Sequence, residues 1–329
     1  MTVWLITGAA GFIGSNVART LLRYGDSVVG LDNFSTGRQS NIDGVMSVGT
    51  GNFRFIEGDI RNPDILLGAL DGVDRVVHFA AQVSVQKSIH DPVDNDAVNV
   101  GGFVAMVDTA AKAGVRKIIY ASSCAVYGDN PKLPLDEGEI PRPMSPYAVS
   151  KYANDLYADV LSALNPQLDI TGLRFFNIFG PHQDASGGYA AVVPRWINLL
   201  LNGKPAVIFG DGSATRDFCH VDNVASAILR IGERREPLPH RVYNIGTGVR
   251  TSLTDIHRTL VETIEGAGRE VAHPEPQHLP WNTGDIVHSV ASIERARAEI
   301  GYEPNVTLAQ GLKHMLAEEY GLGAVRETI

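Results

Sequence analysis

Two residues that can move a proton stand four positions apart near the middle of the chain. They are Tyr147 and Lys151, in the run Ser-Pro-Tyr-Ala-Val-Ser-Lys. In a helix, this spacing puts both side chains on one face. A free tyrosine titrates near pH ~10, and a neighbouring ammonium favours the phenolate and lowers that pKa. The pair could therefore take a proton from a sugar hydroxyl, although the same spacing arises by chance on solvated helices.

The N-terminus predicts a strand, a glycine turn, a helix, a second strand and an acid. Val3–Ile6 leads into Gly8-x-x-Gly11-x-x-Gly14, an amphipathic segment follows, and the next apolar run ends at Asp32. Glycines let the backbone approach a pyrophosphate, and the helix N-terminus offers it N–H groups. Asp32 stands where a carboxylate accepts hydrogen bonds from the adenosine ribose and repels the 2′-phosphate of NADP. The sequence therefore predicts NAD, against the alternative of a glycine-rich turn without ligand.

The composition indicates a soluble globular protein of one large or two modest domains. The chain has 329 residues, 44% hydrophobic and 20% charged, and its net charge of −9 argues against a nucleic-acid partner. No apolar stretch is long enough to span a membrane and no secretion signal is recognisable, so a cytoplasmic location is expected. Cys124 and Cys219 lack metal-ligand spacing and do not suggest a disulfide scaffold, and no metal site is expected.

Strand-like apolar runs alternate with amphipathic segments through the first half of the chain. This alternation predicts an α/β fold, a Rossmann-type doubly wound parallel sheet with its ligands at the carboxyl ends of the strands. We expect an NAD-binding domain over residues 1–177, to which a later segment at roughly 217–245 returns. Residues 178–329 are expected to form a smaller mixed substrate domain, interleaved with the first.

Spaced motifs over nearly the whole chain resemble the extended short-chain dehydrogenase/reductase superfamily. Beyond the glycine turn and Asp32, these motifs are Gly58-Asp-Ile60, His78-Phe-Ala-Ala81, Asn99, Ser122-Ser-x-x-Val-Tyr-Gly128, Tyr147-x-x-x-Lys151, Arg174-Phe-Phe-Asn177-x-x-Gly-Pro181 and Arg216-Asp-Phe-x-His220. Within the superfamily the chain is similar to nucleotide-sugar 4-epimerases, and more narrowly to the bacterial UDP-N-acetylglucosamine/UDP-N-acetylgalactosamine 4-epimerases. The runs closest to that branch include Leu31-Asp-Asn-Phe-Ser-Thr-Gly37, Gly188-Tyr-Ala-Ala-Val-Val-Pro194 and Arg216-Asp-Phe-Cys-His220.

The resemblance implies a catalytic trio and a cofactor site. Ser123, Tyr147 and Lys151 would be catalytic, with the Ser123 hydroxyl bridging the sugar oxygen and the phenol and Lys151 also holding the nicotinamide ribose. Ser123 could instead be a strand-end serine bonded to backbone, and Asn99 could be a helix cap. Cofactor contacts are implied for Gly8, Gly11, Phe12, Ile13, Gly14, Asp32, Asn33, Ser35, Thr36, Gly37, Asp59, Ile60, Ala80, Ala81, Gln82, Asn99, Ser122, Tyr147, Lys151 and Phe176.

The resemblance also implies a substrate site. Arg216 would hold the diphosphate, because a guanidinium matches phosphate oxygens in a fork, unless it pairs with neighbouring Asp217. The family usually has Arg-x-Gly-Asp where this chain has Asn282-Thr-Gly-Asp285, so either another cation such as Arg195 substitutes or diphosphate binding is weaker. Substrate contacts are implied for Ser123, Asn177, Gln183, Ala191, Val192, Arg216, Asp285 and Ser289.

The implied reaction is the NAD-dependent 4-epimerisation of a UDP-hexose. The Tyr147 phenolate takes the proton of the 4-hydroxyl while C4 gives hydride to NAD⁺; the 4-keto sugar turns, and hydride returns to its other face. A 4,6-dehydratase would carry Asp-Glu directly after the catalytic serine, where this chain has Cys124-Ala125, so dehydration is disfavoured. A binding protein that had lost catalysis would be expected to break the catalytic trio, which is intact.

One position bears on the choice of sugar. Where epimerases restricted to non-acetylated sugars carry a tyrosine, this chain has Ser289, which leaves room for a 2-acetamido group. Ala191 and Gln183 also match the N-acetyl branch, whereas Val83 and Asn282 depart from it. We expect a preference for UDP-GlcNAc/UDP-GalNAc; the alternative is a 4-epimerase for UDP-glucose/UDP-galactose or for UDP-uronic acids.

The expected partners are the UDP-sugar substrate and a second copy of the chain. By analogy with the family, a homodimer would form through two helices per subunit, for which the candidates are Gly101–Gly114 and Tyr147–Leu164. Their apolar faces could equally cover the sheet. Neither a nucleic acid nor a membrane is an expected partner.

Overall fold

The central sheet is built from short apolar runs that are separated by helices, the pattern that favours parallel pairing. The computed structural model describes residues 1–185, 191–281 and 286–323. Its strands are β1 (Val3–Thr7), β2 (Ser27–Asp32), β3 (Phe53–Glu57), β4 (Arg75–His78), β5 (Lys117–Ser123), β6 (Asp169–Phe175), β7 (Asn177–Phe179), β8 (Val207–Phe209), β9 (Thr215–Arg216), β10 (Phe218–His220), β11 (Val242–Ile245), β12 (Thr251–Ser252) and β13 (Gln277–Leu279).

Seven strands form one sheet in the order β11-β6-β5-β4-β1-β2-β3, and every neighbouring pair is parallel. The strand order reverses between β1 and β4, which opens a crevice at their carboxyl ends. The expected doubly wound α/β fold is confirmed. The edge strand β11 comes from the segment that was expected to return to the first domain. The other strands form two-stranded pairs, β7 with β10, β9 with β12 and β8 with β13.

Helices cover both faces of this sheet. They are α1 (Phe12–Arg23), α2 (Gln39–Met46), α3 (Pro63–Ala69), α4 (Val85–His90), α5 (Pro92–Asp96), α6 (Gly102–Lys112), α7 (Pro146–Leu164), α8 (Val192–Leu201), α9 (Val221–Glu233), α10 (Leu253–Gly266), α11 (Glu294–Ile300) and α12 (Leu308–Tyr320). A π-helical turn, Ala97–Gly101, precedes α6, and a 3₁₀ turn, Cys124–Tyr127, follows β5.

The core alternates across the sheet as strand periodicity requires. Trp4 and Ile6 of β1 pack on one face with α1, α2 and α9, and Leu5 packs on the other with α3 and α6. A third buried cluster joins α8, α10 and α12 in the C-terminal part. The proposed division into two interleaved domains at residue 177 stays a prediction. In the described ranges, no helix is both long and apolar enough to cross a membrane.

Candidate active site

The glycine turn after β1 forms a cradle that only glycine can line. Gly8 has φ +73°, and its N–H donates to the Leu31 carbonyl at 2.8 Å. A Cβ at Gly8 would lie 2.8 Å from the Ala80 nitrogen, and a Cβ at Gly14 would lie 2.1 Å from the Gly8 oxygen. Among the described residues no side chain caps α1, whose N-cap is Gly11. The bare turn and the helix N-terminus fit a pyrophosphate.

Asp32 is held beside this cradle at the end of β2. Its carboxylate accepts hydrogen bonds from the N–H groups of Ala10 at 2.9 Å and Phe34 at 2.8 Å. Burial raises the pKa of the carboxyl, and these backbone hydrogen bonds oppose the rise. Since each carboxylate oxygen can accept more than one hydrogen bond, Asp32 keeps acceptor capacity for ribose hydroxyls.

The predicted contacts for the adenosine end of the cofactor lie on two neighbouring loops, after β2 and β3. Asn33 joins the loops, since its Nδ2 donates to Asp59 at 3.0 Å and its Oδ1 accepts from the Ser35 N–H at 3.0 Å. Arg61 donates to Asp59 through Nε at 2.9 Å and Nη2 at 2.7 Å, and this bonding lowers the pKa of Asp59 to about 2. The other predicted contacts on these loops are Thr36, Gly37 and Ile60.

Asn99 fixes the loop that follows β4, which holds the predicted contacts Ala80, Ala81 and Gln82. Its Oδ1 accepts from the Gln82 N–H at 2.8 Å, and its Nδ2 donates to the Gln82 carbonyl at 2.9 Å and to Ser150 Oγ at 3.0 Å. Asn99 lies inside the π-helical turn, so the alternative of a helix cap is wrong. Its side chain ties this loop to α7, and a direct contact with NAD stays a prediction.

Helix α7 brings Tyr147 and Lys151 to the end of β5. The helix begins after Ser145, whose hydroxyl accepts from a backbone N–H at 3.2 Å, and Pro146 occupies its first position. Lys151 Nζ donates to the Ala121 carbonyl at 3.0 Å and lies 6.0 Å from the centre of the Tyr147 ring. The pair therefore lies on one helix face, as the spacing predicts.

Ser123, the last residue of β5, meets Tyr147. Its hydroxyl accepts from the Ala125 N–H at 3.2 Å and lies close to the Tyr147 hydroxyl. Burial raises the pKa of Tyr147 to about 12 against the lowering effect of Ser123, and burial lowers the pKa of Lys151 to about 8. Desolvation of the phenolate therefore outweighs the lowering of the tyrosine pKa that was expected from Lys151.

A cavity of about 420 Å³ lies between β7, β8, β9 and α8. Of the predicted substrate contacts, Asn177, Ala191, Val192 and Arg216 line it. Several aromatic residues also line it without a role in the sequence analysis, among them Phe209 and Trp281. The signal for Phe209 was its place at the end of a short strand before a glycine, and Trp281 directly precedes the unexpected Asn282.

Arg216 is directed by backbone carbonyl groups. Its Nη1 donates to the carbonyl oxygens of Thr215 at 2.9 Å and Val287 at 3.0 Å. The alternative partner, Asp217, instead accepts from the N–H groups of Thr247 at 2.7 Å and Gly248 at 2.9 Å. The alternative of a salt bridge between Arg216 and Asp217 is therefore not seen, and the diphosphate role of Arg216 stays a prediction.

Ser289, another predicted substrate contact, does not line this cavity but lies beside strand β9 and near the catalytic serine. It is 7% exposed, its N–H donates to the Thr215 carbonyl of β9 at 3.0 Å, and its hydroxyl lies near the thiol of Cys124, the residue after Ser123. The same thiol lies close enough to Arg216 and Tyr147 for their charges to interact with it. Burial raises the pKa of Cys124 to about 11, which suits a packed side chain and not a nucleophile.

Three further predicted contacts do not line this cavity, and their roles stay predictions. Gln183 lies outside the cavity lining, and its Nε2 donates to the Ile178 carbonyl at 3.2 Å. Phe176 is buried against Tyr127, with ring centres 6.4 Å apart. Ser122 is buried at the end of β5. The predicted substrate residue Asp285 lies outside the described residues, as do Asn282 and residues 188–190.

Known proteins are similar to this chain along most of its length. Residues 4–246 match the NAD dependent epimerase/dehydratase family. The chain belongs to this family. NAD is therefore its cofactor, and the glycine cradle and Asp32 fit that molecule. Over 310 residues the chain is 39% identical to the UDP-glucose 4-epimerase of Mycolicibacterium smegmatis, a match that covers 94% of this chain and 95% of that relative.

Two solved structures of the same kind superpose on nearly the whole chain. One is the UDP-glucose 4-epimerase of Thermotoga maritima with UDP-glucose, at 34% identity and a TM-score of 0.86, with 96% of this chain and 97% of that chain covered. The other is the UDP-N-acetylglucosamine 4-epimerase of Methanobrevibacter ruminantium M1 in complex with UDP-N-acetylmuramic acid, at 31% identity and a TM-score of 0.87 with the same coverage.

Proposed function

We propose that this protein is an NAD-dependent UDP-sugar 4-epimerase that prefers UDP-GlcNAc and UDP-GalNAc. The observation that carries the proposal is the meeting of Ser123, Tyr147 and Lys151 at the end of β5, beside a glycine cradle for the dinucleotide. The reaction needs a proton acceptor near the sugar hydroxyl and a hydride acceptor above C4. The trio supplies the first, and bound NAD⁺ supplies the second.

Tyr147 takes the proton of the sugar 4-hydroxyl and later returns it, with the Ser123 hydroxyl bridging the two oxygens. In the chain alone the pKa of Tyr147 is about 12, so the loaded site must lower it before the phenolate forms at neutral pH. Positive charge near the phenol has this effect. Lys151, with a pKa of about 8, already supplies one such charge at pH 7, and the further lowering must come from the bound ligands.

The substrate site suits a nucleotide diphosphate joined to a sugar with a bulky C2 substituent. Arg216 and Asn177 line the cavity, and a guanidinium fork matches phosphate oxygens. The small Ser289 side chain lies near Cys124, next to the catalytic serine, so a 2-acetamido group finds room beside it. UDP-glucose/UDP-galactose is the second candidate pair, supported by the likeness to the UDP-glucose 4-epimerase of M. smegmatis.

The proposal is tested by incubating the purified protein with UDP-GlcNAc and, separately, with UDP-glucose, and separating the products by chromatography. We expect the 4-epimer of each, no net NADH, and a higher kcat/KM for UDP-GlcNAc. A product lighter by one water would indicate a dehydratase. Faster turnover of UDP-glucose would contradict the preference, and no epimer from any UDP-sugar would contradict the activity.

We also propose a homodimer that forms through α7. The outward face of this helix carries Val149, Leu156, Tyr157, Val160 and Leu164, which are between 42% and 72% exposed. Their spacing makes one apolar stripe on the helix. Contiguous apolar surface of this kind is typical of protein–protein contacts. The other expected dimer helix, α6, buries most of its apolar residues against the sheet.

A further inference from the structure

We infer that Arg195 is the second cation of the diphosphate site, where it replaces the arginine that this chain lacks at Asn282. The inference rests on the proposed function, because it assigns part of the UDP-sugar to one side of the cavity. A diphosphate carries several negative charges, and Arg216 alone leaves much of that charge without a partner. The chain must therefore either supply another donor or bind the diphosphate weakly.

Arg195 and Arg216 line the same cavity, although they belong to different elements. Arg195 lies in the first turns of α8, and its neighbours Pro194 and Trp196 are buried. The Trp196 indole N–H donates to the Val207 carbonyl of β8 at 3.1 Å. This anchoring fixes the rotation of α8, so the exposed Arg195 side chain is presented to the cavity.

The charge of Arg195 is uncompensated within residues 1–185, 191–281 and 286–323, where no carboxylate forms an ion pair with it. Arg174, in contrast, pairs with Asp155 at 2.9 Å, and Arg61 pairs with Asp59 at 2.7 Å. An exposed guanidinium at a cavity wall keeps all its N–H donors for a ligand. Arg216 has less capacity, because its Nη1 already donates to two backbone carbonyls.

The cavity wall next to Arg195 also favours an anion. Ala191, Val192 and Val193 line the cavity at the N-terminus of the ten-residue helix α8. The first turn of this helix contains no acidic residue. The positive end of the helix dipole therefore adds to the charge of Arg195.

The test is calorimetric titration of the NAD-saturated protein with UDP and with uridine, which lacks the phosphates. For Arg195→Ala we expect the Kd for UDP to rise about tenfold, as for loss of one charge-assisted hydrogen-bonded pair, and the Kd for uridine to stay within about twofold. Arg195→Lys keeps the charge without the guanidinium fork, so its Kd for UDP should lie between those of the wild type and Arg195→Ala. Arg269→Ala, which removes an exposed arginine outside the cavity lining, should match the wild type.

An unchanged UDP affinity in Arg195→Ala would overturn the inference, as would an equal loss of UDP and uridine binding. A loss confined to UDP-glucuronic acid, with UDP unaffected, would also overturn it and place Arg195 at a sugar carboxylate. None of these outcomes for the Arg195 variants contradicts the proposed function, provided that the wild-type protein binds UDP. If the wild type fails to bind UDP, the proposed function itself is wrong.

Discussion

The ammonium nitrogen of Lys151 lies over the ring of Tyr147, 6.0 Å from its centre, and donates to the Ala121 carbonyl at 3.0 Å. A cation over an aromatic face is attracted by the ring quadrupole. This contact positions the two side chains without stabilising the phenolate enough to overcome its burial, since the pKa of Tyr147 is about 12. Proton transfer at neutral pH therefore depends on the loaded site.

Replacing Lys151 with Met should shift the acidic limb of the kcat/KM profile to higher pH. The variant loses the positive charge that favours the Tyr147 phenolate, so a higher pH is needed to form the base. We expect kcat/KM at pH 7 to fall by about 10²-fold or more. A pH–rate series checks this, with Lys112→Met at an exposed position of α6 as the control. If kcat/KM fell by the same factor at every pH, the charge of Lys151 would not be what lowers the pKa of Tyr147.

Replacing Tyr147 with Phe should abolish turnover while substrate binding persists. The variant keeps the ring and the contact with Lys151 and loses only the proton-transfer oxygen. We expect kcat to fall by about 10²- to 10⁴-fold. Stopped assays with UDP-GlcNAc and titration with UDP measure the two effects. Tyr157→Phe removes an exposed hydroxyl from the same helix and should be neutral. Near-normal kcat in Tyr147→Phe would exclude the tyrosine as the base.

Replacing Ser289 with Tyr should suppress the acetylated substrates first. Ser289 is buried beside Cys124, and a phenol there would fill the space proposed for the acetamido group. We expect kcat/KM for UDP-GlcNAc to fall at least about tenfold relative to that for UDP-glucose. Ser289→Ala, which keeps the space open, should retain both activities. An equal fall in kcat/KM for the acetylated and the non-acetylated substrates in a folded Ser289→Tyr protein would refute the selective role of Ser289.

Neither thiol of the folded protein should react quickly at pH 8. Burial raises the pKa of Cys124 to about 11 and that of Cys219 to about 12, so at pH 8 about one molecule in a thousand or fewer carries a thiolate. Reactivity should rise with pH as the thiols ionise. Titration with a chromogenic disulfide should detect both thiols only after denaturation in guanidinium. One fast equivalent in the native protein, lost in Cys124→Ala, would show that Cys124 is accessible and ionised.

Replacing Val160 with Glu should weaken the proposed dimer. The residue is 56% exposed in the apolar stripe of α7, and burying an unpaired carboxylate at an interface is costly. Light scattering coupled to gel filtration should report a dimer for the wild type and a monomer for the variant. Leu67→Glu, at a 59% exposed leucine of α3, is the matched control and should stay dimeric. A monomeric wild type would refute the proposal.

Local sequence properties determined the strand–helix alternation, the glycine turn and the spacing of Tyr147 and Lys151. Strand and helix periodicity is visible within one segment. Glycine is required at position 14 because a Cβ there would clash with the nearby Gly8 backbone. The place of Asp32 at the end of a strand also follows from its own segment. The sequence alone was therefore sufficient to predict the parallel sheet and the cofactor that binds at its edge.

Only the tertiary structure decided which distant residues meet, because such contacts depend on how whole elements pack. It brought Ser289 to Cys124, placed Arg195 and Arg216 on one cavity, and added Trp281 to the same wall. It also reversed the expectation for the pKa of Tyr147, since desolvation depends on everything that surrounds a side chain and not on the residue four positions away.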